Sequence, residues 1–123
     1  MRGPLLVVDD VPEMRRSLVR YFKRTFDTVS AGTPEEAEEI LMRSSPPYLL
    51  CDYWLGVEFP PATHFIPAWR KKFPSLRRVA LMTGTKTTSI DSPTGIDALF
   101  EKPLDLDVIT EFFTVPTGQI KLL

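Results

Sequence analysis

The sequence predicts an α/β domain built on a mostly parallel sheet, and three observations carry that prediction. Short continuous apolar runs recur along the chain, at Leu5-Leu6-Val7-Val8, Tyr48-Leu49-Leu50-Cys51 and Val79-Ala80-Leu81-Met82. Runs of that kind read as strands buried on both faces. Segments with apolar residues at helical spacing lie between them. Strands that alternate with helices in this way form βαβ units, and right-handed crossovers then place helices on both faces of the sheet.

The elements follow in order. The first strand covers Leu5 to Val8 and ends at Asp9-Asp10. Pro12 suits a helix start, where its missing N–H costs nothing. Met14, Leu18 and Tyr21 or Phe22 then recur at helical spacing through about Arg24. Thr28 to Ala31 is a short second strand, broken by Gly32. Thr33-Pro34-Glu35-Glu36 reads as a capping box, with Ala37, Ile40 and Leu41 as the buried face of the second helix. Pro46-Pro47 ends that connection, and the third strand, Tyr48 to Cys51, leads to Asp52. A loop with Gly56, Pro60 and Pro61 precedes a third helix expected over Thr63 to Phe73. Pro67 falls in its first turn if the helix begins near His64, and kinks it otherwise. The fourth strand, Val79 to Met82, ends at Thr83. Residues 84 to 96 are polar and lack an apolar stripe, so a helix there is expected to be short or irregular. Ala98-Leu99-Phe100 is the fifth strand, followed by Lys102-Pro103. Asp105 caps a last helix with Leu106, Ile109, Phe112 and Phe113 inside, and residues 115–123 read as a tail.

Composition narrows the function. The 123 residues make one domain, expected over residues 1–114. A net charge of −1 argues against bulk affinity for nucleic acid. The one cysteine, Cys51, cannot form an internal disulfide, and no cysteine–histidine cluster is available for zinc. Cys51 reads as a small buried strand residue, His64 as an exposed one, and Trp69 as packing beside Phe65, Ile66 and Phe73. The apolar run after Met1-Arg2-Gly3-Pro4 is too short for a signal-peptide core or a membrane span, so a cytoplasmic protein without membrane insertion is expected. Twelve prolines in 123 residues, about twice the usual share, sit mostly at element edges.

Open parallel sheets bind ligands beyond the carboxyl ends of their strands. Here those ends carry Asp9-Asp10, Asp52, Thr83 and Lys102. Three carboxylates at one edge repel one another and cannot all stay ionised unaided. A hard divalent cation resolves this, and Mg²⁺ suits carboxylates combined with water and phosphate oxygens. Lys102 adds a second positive charge and Thr83 a hydroxyl donor. Together these residues describe a carboxylate nucleophile that attacks phosphorus. The run Thr83-Gly84-Thr85-Lys86-Thr87-Thr88 lacks the glycine before its lysine that a Walker loop needs.

With those residues in place, the chain from about Leu5 to Phe113 resembles the receiver domain of bacterial two-component response regulators. The resemblance rests on Asp9-Asp10, on Asp52 after an apolar strand, on Thr83-Gly84 and on Lys102-Pro103. It implies a single-domain flavodoxin-like (βα)5 three-layer sandwich with strand order 2-1-3-4-5. It implies that Asp52 accepts a phosphoryl group from a phosphohistidine on a sensor histidine kinase or histidine phosphotransfer protein. Asp10 would bind Mg²⁺ directly, Asp9 mostly through water, and Asp52 and the backbone carbonyl of Trp54 would complete the metal site. Lys102 would pair with Asp52 and then with a phosphoryl oxygen, and the Lys102-Pro103 bond would be cis. Thr83 would move toward the phosphoryl group as a switch. The basic face of the first helix, Arg15 and Arg16 above all, would dock the phosphodonor partner. The protein would be a phosphoprotein switch rather than an enzyme, supporting only its own phosphorylation and dephosphorylation. It would be a stand-alone monomer or weak homodimer that signals to a downstream protein.

The sequence departs from that family in three places. Leu99 stands where the family usually has an aromatic residue, and strand alternation points the neighbouring Phe100 to the opposite face. The Thr83-to-Lys102 interval is a few residues short. Gly56 stands where proline is common, and the bulky Trp54 can shield an acyl phosphate from water. Two rival readings remain: a pseudo-receiver that binds a partner without phosphorylation, and an aspartyl phosphatase. The latter would need a second aspartate two residues after Asp52, where Trp54 stands.

Overall fold

The computed structural model describes residues 2–84 and 95–116. Leu5-Leu6-Val7-Val8 forms the heart of β1 (Arg2–Val8), with every one of those side chains fully buried. The strand starts earlier than its apolar run because Arg2 pairs with Phe26 across an irregularity between Arg2 and Leu5. Pro4, which has no N–H for the ladder, sits in that irregularity. Helix α1 (Pro12–Phe22) carries proline at its first position and buries Leu18 and Phe22. It ends two residues before Arg24. Strand β2 (Phe26–Ala31) likewise begins before Thr28, because Phe26 is buried in the core.

Helix α2 (Pro34–Ser44) is capped by Thr33, whose side chain accepts from the Glu36 N–H. Strand β3 (Tyr48–Asp52) follows, then α3 (Ala62–Lys72). That helix starts at Ala62 rather than at Thr63 or His64, which makes Pro67 its sixth residue, beyond the first turn. The hydrogen bond that Pro67 cannot donate is lost, and helix continues on both sides of it. Strand β4 (Arg78–Thr83) and strand β5 (Ala98–Glu101) complete the sheet. The polar segment expected to hold a short or irregular helix lies outside the described residues, apart from Gly84, Gly95 and Ile96. Helix α4 (Leu106–Thr114) is capped by Asp105, whose carboxylate accepts from the N–H groups of Asp107 and Val108. Arg78, buried at the start of β4, donates to the Phe112 carbonyl and so ties the last turn of α4 to the sheet. Val115 and Pro116 are non-helical, and the rest of the expected tail lies outside the described residues.

The sheet has five strands in the order β2-β1-β3-β4-β5, all parallel. Side-chain alternation divides the core into two layers. Leu6, Val8, Leu49, Cys51, Val79 and Leu81 face α2 and α3, where Leu41, Ile66 and Trp69 meet them. Leu5, Val7, Leu50, Ala80 and Met82 face α1 and α4, where Phe22, Ile109 and Phe113 meet them beside Phe26 of β2. Each fully buried Leu or Phe contributes about 1.5–3 kcal/mol. This three-layer sandwich is the flavodoxin-like order expected from the sequence, and it brings the carboxyl ends of β1, β3, β4 and β5 to one edge. No helix among the described residues is long and apolar enough to cross a membrane.

Candidate functional site

The parallel ladder runs past the strand ends and fixes the loops that carry the polar residues. The Asp9 N–H donates to Ala31, the Tyr53 N–H to Met82 and the Lys102 N–H to Thr83, all through main-chain carbonyls. Asp9, Asp10 and Asp52 thereby converge, with one carboxylate oxygen of each within 4.8 Å of the others. The Lys102 ammonium lies 3.3 Å from Asp52 Oδ2. The peptide bond between Lys102 and Pro103 is cis, as expected.

The three carboxylates differ in setting. Asp9 is 0% exposed, Asp52 is 7% exposed and Asp10 is exposed. Asp9 Oδ1 accepts from the Val11 N–H at 2.9 Å, while Oδ2 is buried with no hydrogen-bond partner among the described residues. Burial raises the Asp9 pKa, and the Val11 N–H and Lys102 oppose that. Burial also raises the pKa of Asp52, with Lys102 opposing and Asp9 adding like-charge repulsion. Both carboxylates are thus held under strain that a cation would relieve. The orphaned Asp9 oxygen and the hard oxygen donor set fit a hard divalent cation.

An open cleft of about 570 Å³ lies over Asp52. Asp10, Asp52 and Lys102 form its charged wall, and Trp54, Val57 and Phe59 form an apolar one. Trp54 is 50% exposed and is held edge-on to Tyr53, with ring centroids 5.0 Å apart. Gly56 turns this loop at φ 125°, a conformation open to glycine and strained for other residues. Asp9 and Thr83 are both fully buried and sit behind the cleft surface, where Gly84 takes the place at the end of β4.

The other residues singled out in the sequence are placed as follows. Leu99 is half-buried, pairs with Leu81 in register and packs against the α2/α3 layer. Phe100 lies in the α1/α4 layer, 5.9 Å from the Phe112 ring. Cys51 is buried, and burial together with Asp52 and Asp9 pushes its thiol well above the ordinary range. His64 is exposed, and Trp69 stacks on Phe65 at 5.8 Å. Arg16 is exposed, 3.9 Å from Glu13. Arg15 is half-buried, and its Nη1 donates to the Asp9 main-chain carbonyl at 2.8 Å. The sequence reading missed that tether, and also Val57 and Phe59 as cleft walls. Nothing in the local sequence marks Arg15 off from the other cations of α1. The signal is Gly32, where an added Cβ would stand 2.7 Å from Arg15 Nη1.

No protein-family model matches the chain, and no curated protein sequence matches it either. Solved structures do. A response regulator receiver protein from Pseudomonas putida superposes with TM-score 0.78 at 24% identity, covering 90% of this chain and 94% of that one. A LuxR-family two-component response regulator from Aurantimonas superposes with TM-score 0.83 at 16% identity, covering 100% and 90%. A response regulator from Burkholderia pseudomallei, solved with a phosphorylated aspartic acid, a calcium ion and citrate, gives TM-score 0.79 at 20% identity over 89% of this chain. The chain spans 65% of that protein's length. Architecture, strand order and these superpositions agree, and the chain has the fold of a response-regulator receiver domain.

Proposed function

We propose that the chain is a phosphoacceptor receiver that takes a phosphoryl group from a phosphohistidine onto Asp52. The observation that carries this reading is the convergence of three carboxylates and one ammonium at the carboxyl edge of the sheet. In the proposed step an Asp52 carboxylate oxygen attacks phosphorus. The new O–P bond forms as the N–P bond of the phosphohistidine breaks, and the imidazole nitrogen leaves with the electron pair.

Lys102 holds Asp52 in place beforehand and then meets the negative charge of the phosphoryl oxygens. Asp9, Asp10, Asp52 and the Trp54 carbonyl would hold Mg²⁺, which supplies charge neutralisation for the carboxylates and the phosphoryl group. The Asp9 oxygen that lacks a partner among the described residues supports its place in that set. Thr83 is the switch hydroxyl of the reading, at the end of the strand that pairs with Lys102 through its carbonyl. With Leu99 packed against the α2/α3 layer and Phe100 turned the other way, no aromatic side chain follows it in the usual manner. The partners are a sensor histidine kinase or histidine phosphotransfer protein, docking at Arg15 and Arg16, and a downstream protein, in the cytoplasm. The chain turns over no separate substrate. The leucine at position 99 favours, as the second reading, a pseudo-receiver that binds its partner without phosphorylation.

Intact mass after incubation with Mg²⁺ and acetyl phosphate tests this. The account expects a gain of one phosphoryl group that is lost with EDTA and in Asp52→Asn. No gain, even from a phosphorylated histidine protein, supports the pseudo-receiver. Rapid turnover of unrelated phosphomonoesters supports a phosphatase.

A further inference from the structure

A second groove lies away from the acidic cleft. It has a volume of about 370 Å³ and runs between α1 and β2, lined by Arg15, Arg16, Val19, Arg20, Lys23 and Ser30. The four cations recur on one face of α1 over two turns, with Val19 between them. No acidic residue among the described residues lines the groove. The Arg16–Glu13 pair, at 3.9 Å between two largely exposed side chains, offsets little of this charge. Asp27, the acid of β2, alternates with Phe26 and Thr28, so it shares the parity of Val29 and Ala31 on the α2/α3 side, away from the groove. Arg15 is held in position by the Asp9 carbonyl and by the space that Gly32 leaves open.

The other wall of the groove is Ser30, which stands on an edge strand. Among the described residues strand β2 is outermost in the sheet and pairs with β1 alone. An edge strand presents backbone donors and acceptors to any extended chain laid beside it. From Arg15 to Lys23 the helix rises about 12 Å, more than one tetrahedral anion can span. An extended peptide repeats a side chain on one face about every 6.7 Å. That interval is close to the roughly 6 Å rise between Arg16 and Arg20.

We infer that this groove docks an extended acidic segment of a partner protein, with alternate carboxylates on the α1 cations and its backbone along the β2 edge. Cationic charge alone would also attract a polyanion such as nucleic acid. The edge strand and the apolar Val19 between the cations favour a peptide. The inference does not depend on phosphoryl transfer at Asp52.

A fluorescein-labelled peptide of alternating glutamate and valine, seven residues long, is the probe, read by anisotropy against the full chain. The expected result is saturable binding in the micromolar range that weakens with salt. The paired variant Arg20→Glu with Lys23→Glu should weaken it at least tenfold at unchanged circular dichroism, since both side chains are exposed. Asp52→Asn should bind as the wild type does, which separates this groove from the phosphoacceptor reading. Amide shifts in ¹⁵N spectra should centre on Val19 and Ser30. A peptide with proline in place of valine, which cannot donate to the β2 edge, should bind more weakly. Absence of saturable binding would overturn the inference. So would equal affinity for a charge-matched single-stranded oligonucleotide, or shifts that centre elsewhere.

Discussion

Replacing Asp9 by asparagine should make the metal-free protein more stable. Asp9 is fully buried, and one of its oxygens lies within 4.8 Å of Asp52, a separation at which two unit charges repel by about 3.5 kcal/mol for an effective dielectric of about 20. Lys102, 3.3 Å from Asp52, offsets part of that repulsion. A net gain of about 1–3 kcal/mol remains for Asp9→Asn, because the neutral amide keeps an oxygen to accept from Val11 and ends both the repulsion and the charge burial. For a chain of this length each kcal/mol moves Tm by about 3–6 °C. Urea unfolding followed by fluorescence of Trp54 and Trp69, with EDTA present, reads the difference.

The pH dependence has a definite sign. Burial raises the folded-state pKa of Asp9 and of Asp52 above the unfolded value. Between the two values the folded state binds more protons, so wild-type stability rises as pH falls through the folded pKa and stops rising below the unfolded one. The advantage of Asp9→Asn should therefore fade as pH is lowered. Mg²⁺ should act the other way, adding about 2.7 kcal/mol to the wild type at one hundred times its Kd and less to the variant. A variant no more stable than wild type at neutral pH without metal would refute the electrostatic reasoning.

Other outcomes follow from the same geometry. Gly56→Ala should cost about 1–3 kcal/mol by denaturant titration, because position 56 holds φ 125° with the Glu58 carboxylate 3.1 Å from the added Cβ. Trp54→Ala should shorten the lifetime of the phosphorylated form, measured as loss of the phosphoryl mass. Decay of the wild type within seconds, with no acceleration in the variant, would remove the shielding role of Trp54. Arg15→Glu with Arg16→Glu should slow phosphotransfer from a histidine protein at least tenfold, and unchanged kinetics at moderate salt would sink the docking role.

The layers of the fold were legible because the strands are buried on both faces and read as uninterrupted apolar runs. Thr33, Asp105 and Pro12 mark helix starts by local chemistry, and each sits where its side chain or ring predicts. Strand starts were less legible. Arg2 and Phe26 join their strands through pairing with each other, a long-range contact with no local signature. The start of α3 was obscured by Pro60, Pro61 and Pro67, since each is compatible with a helix beginning at a different place. The convergence of Asp9, Asp10, Asp52 and Lys102 was legible because a parallel sheet gathers its strand ends. The division between a buried Asp9 and an exposed Asp10 was not, because it depends on the path of the chain after β1. Arg15 was legible as a cation on α1, but its bond to the Asp9 carbonyl arises only when α1 packs beside Gly32.

Borohydride trapping tests the central claim most directly. An aspartyl phosphate is reduced to homoserine, so the protein is phosphorylated with Mg²⁺ and acetyl phosphate, reduced and mapped by peptide mass. The account predicts homoserine at position 52 and at no other position, dependent on the metal. Homoserine at position 9 or 10, or at no position in a folded sample, would contradict it.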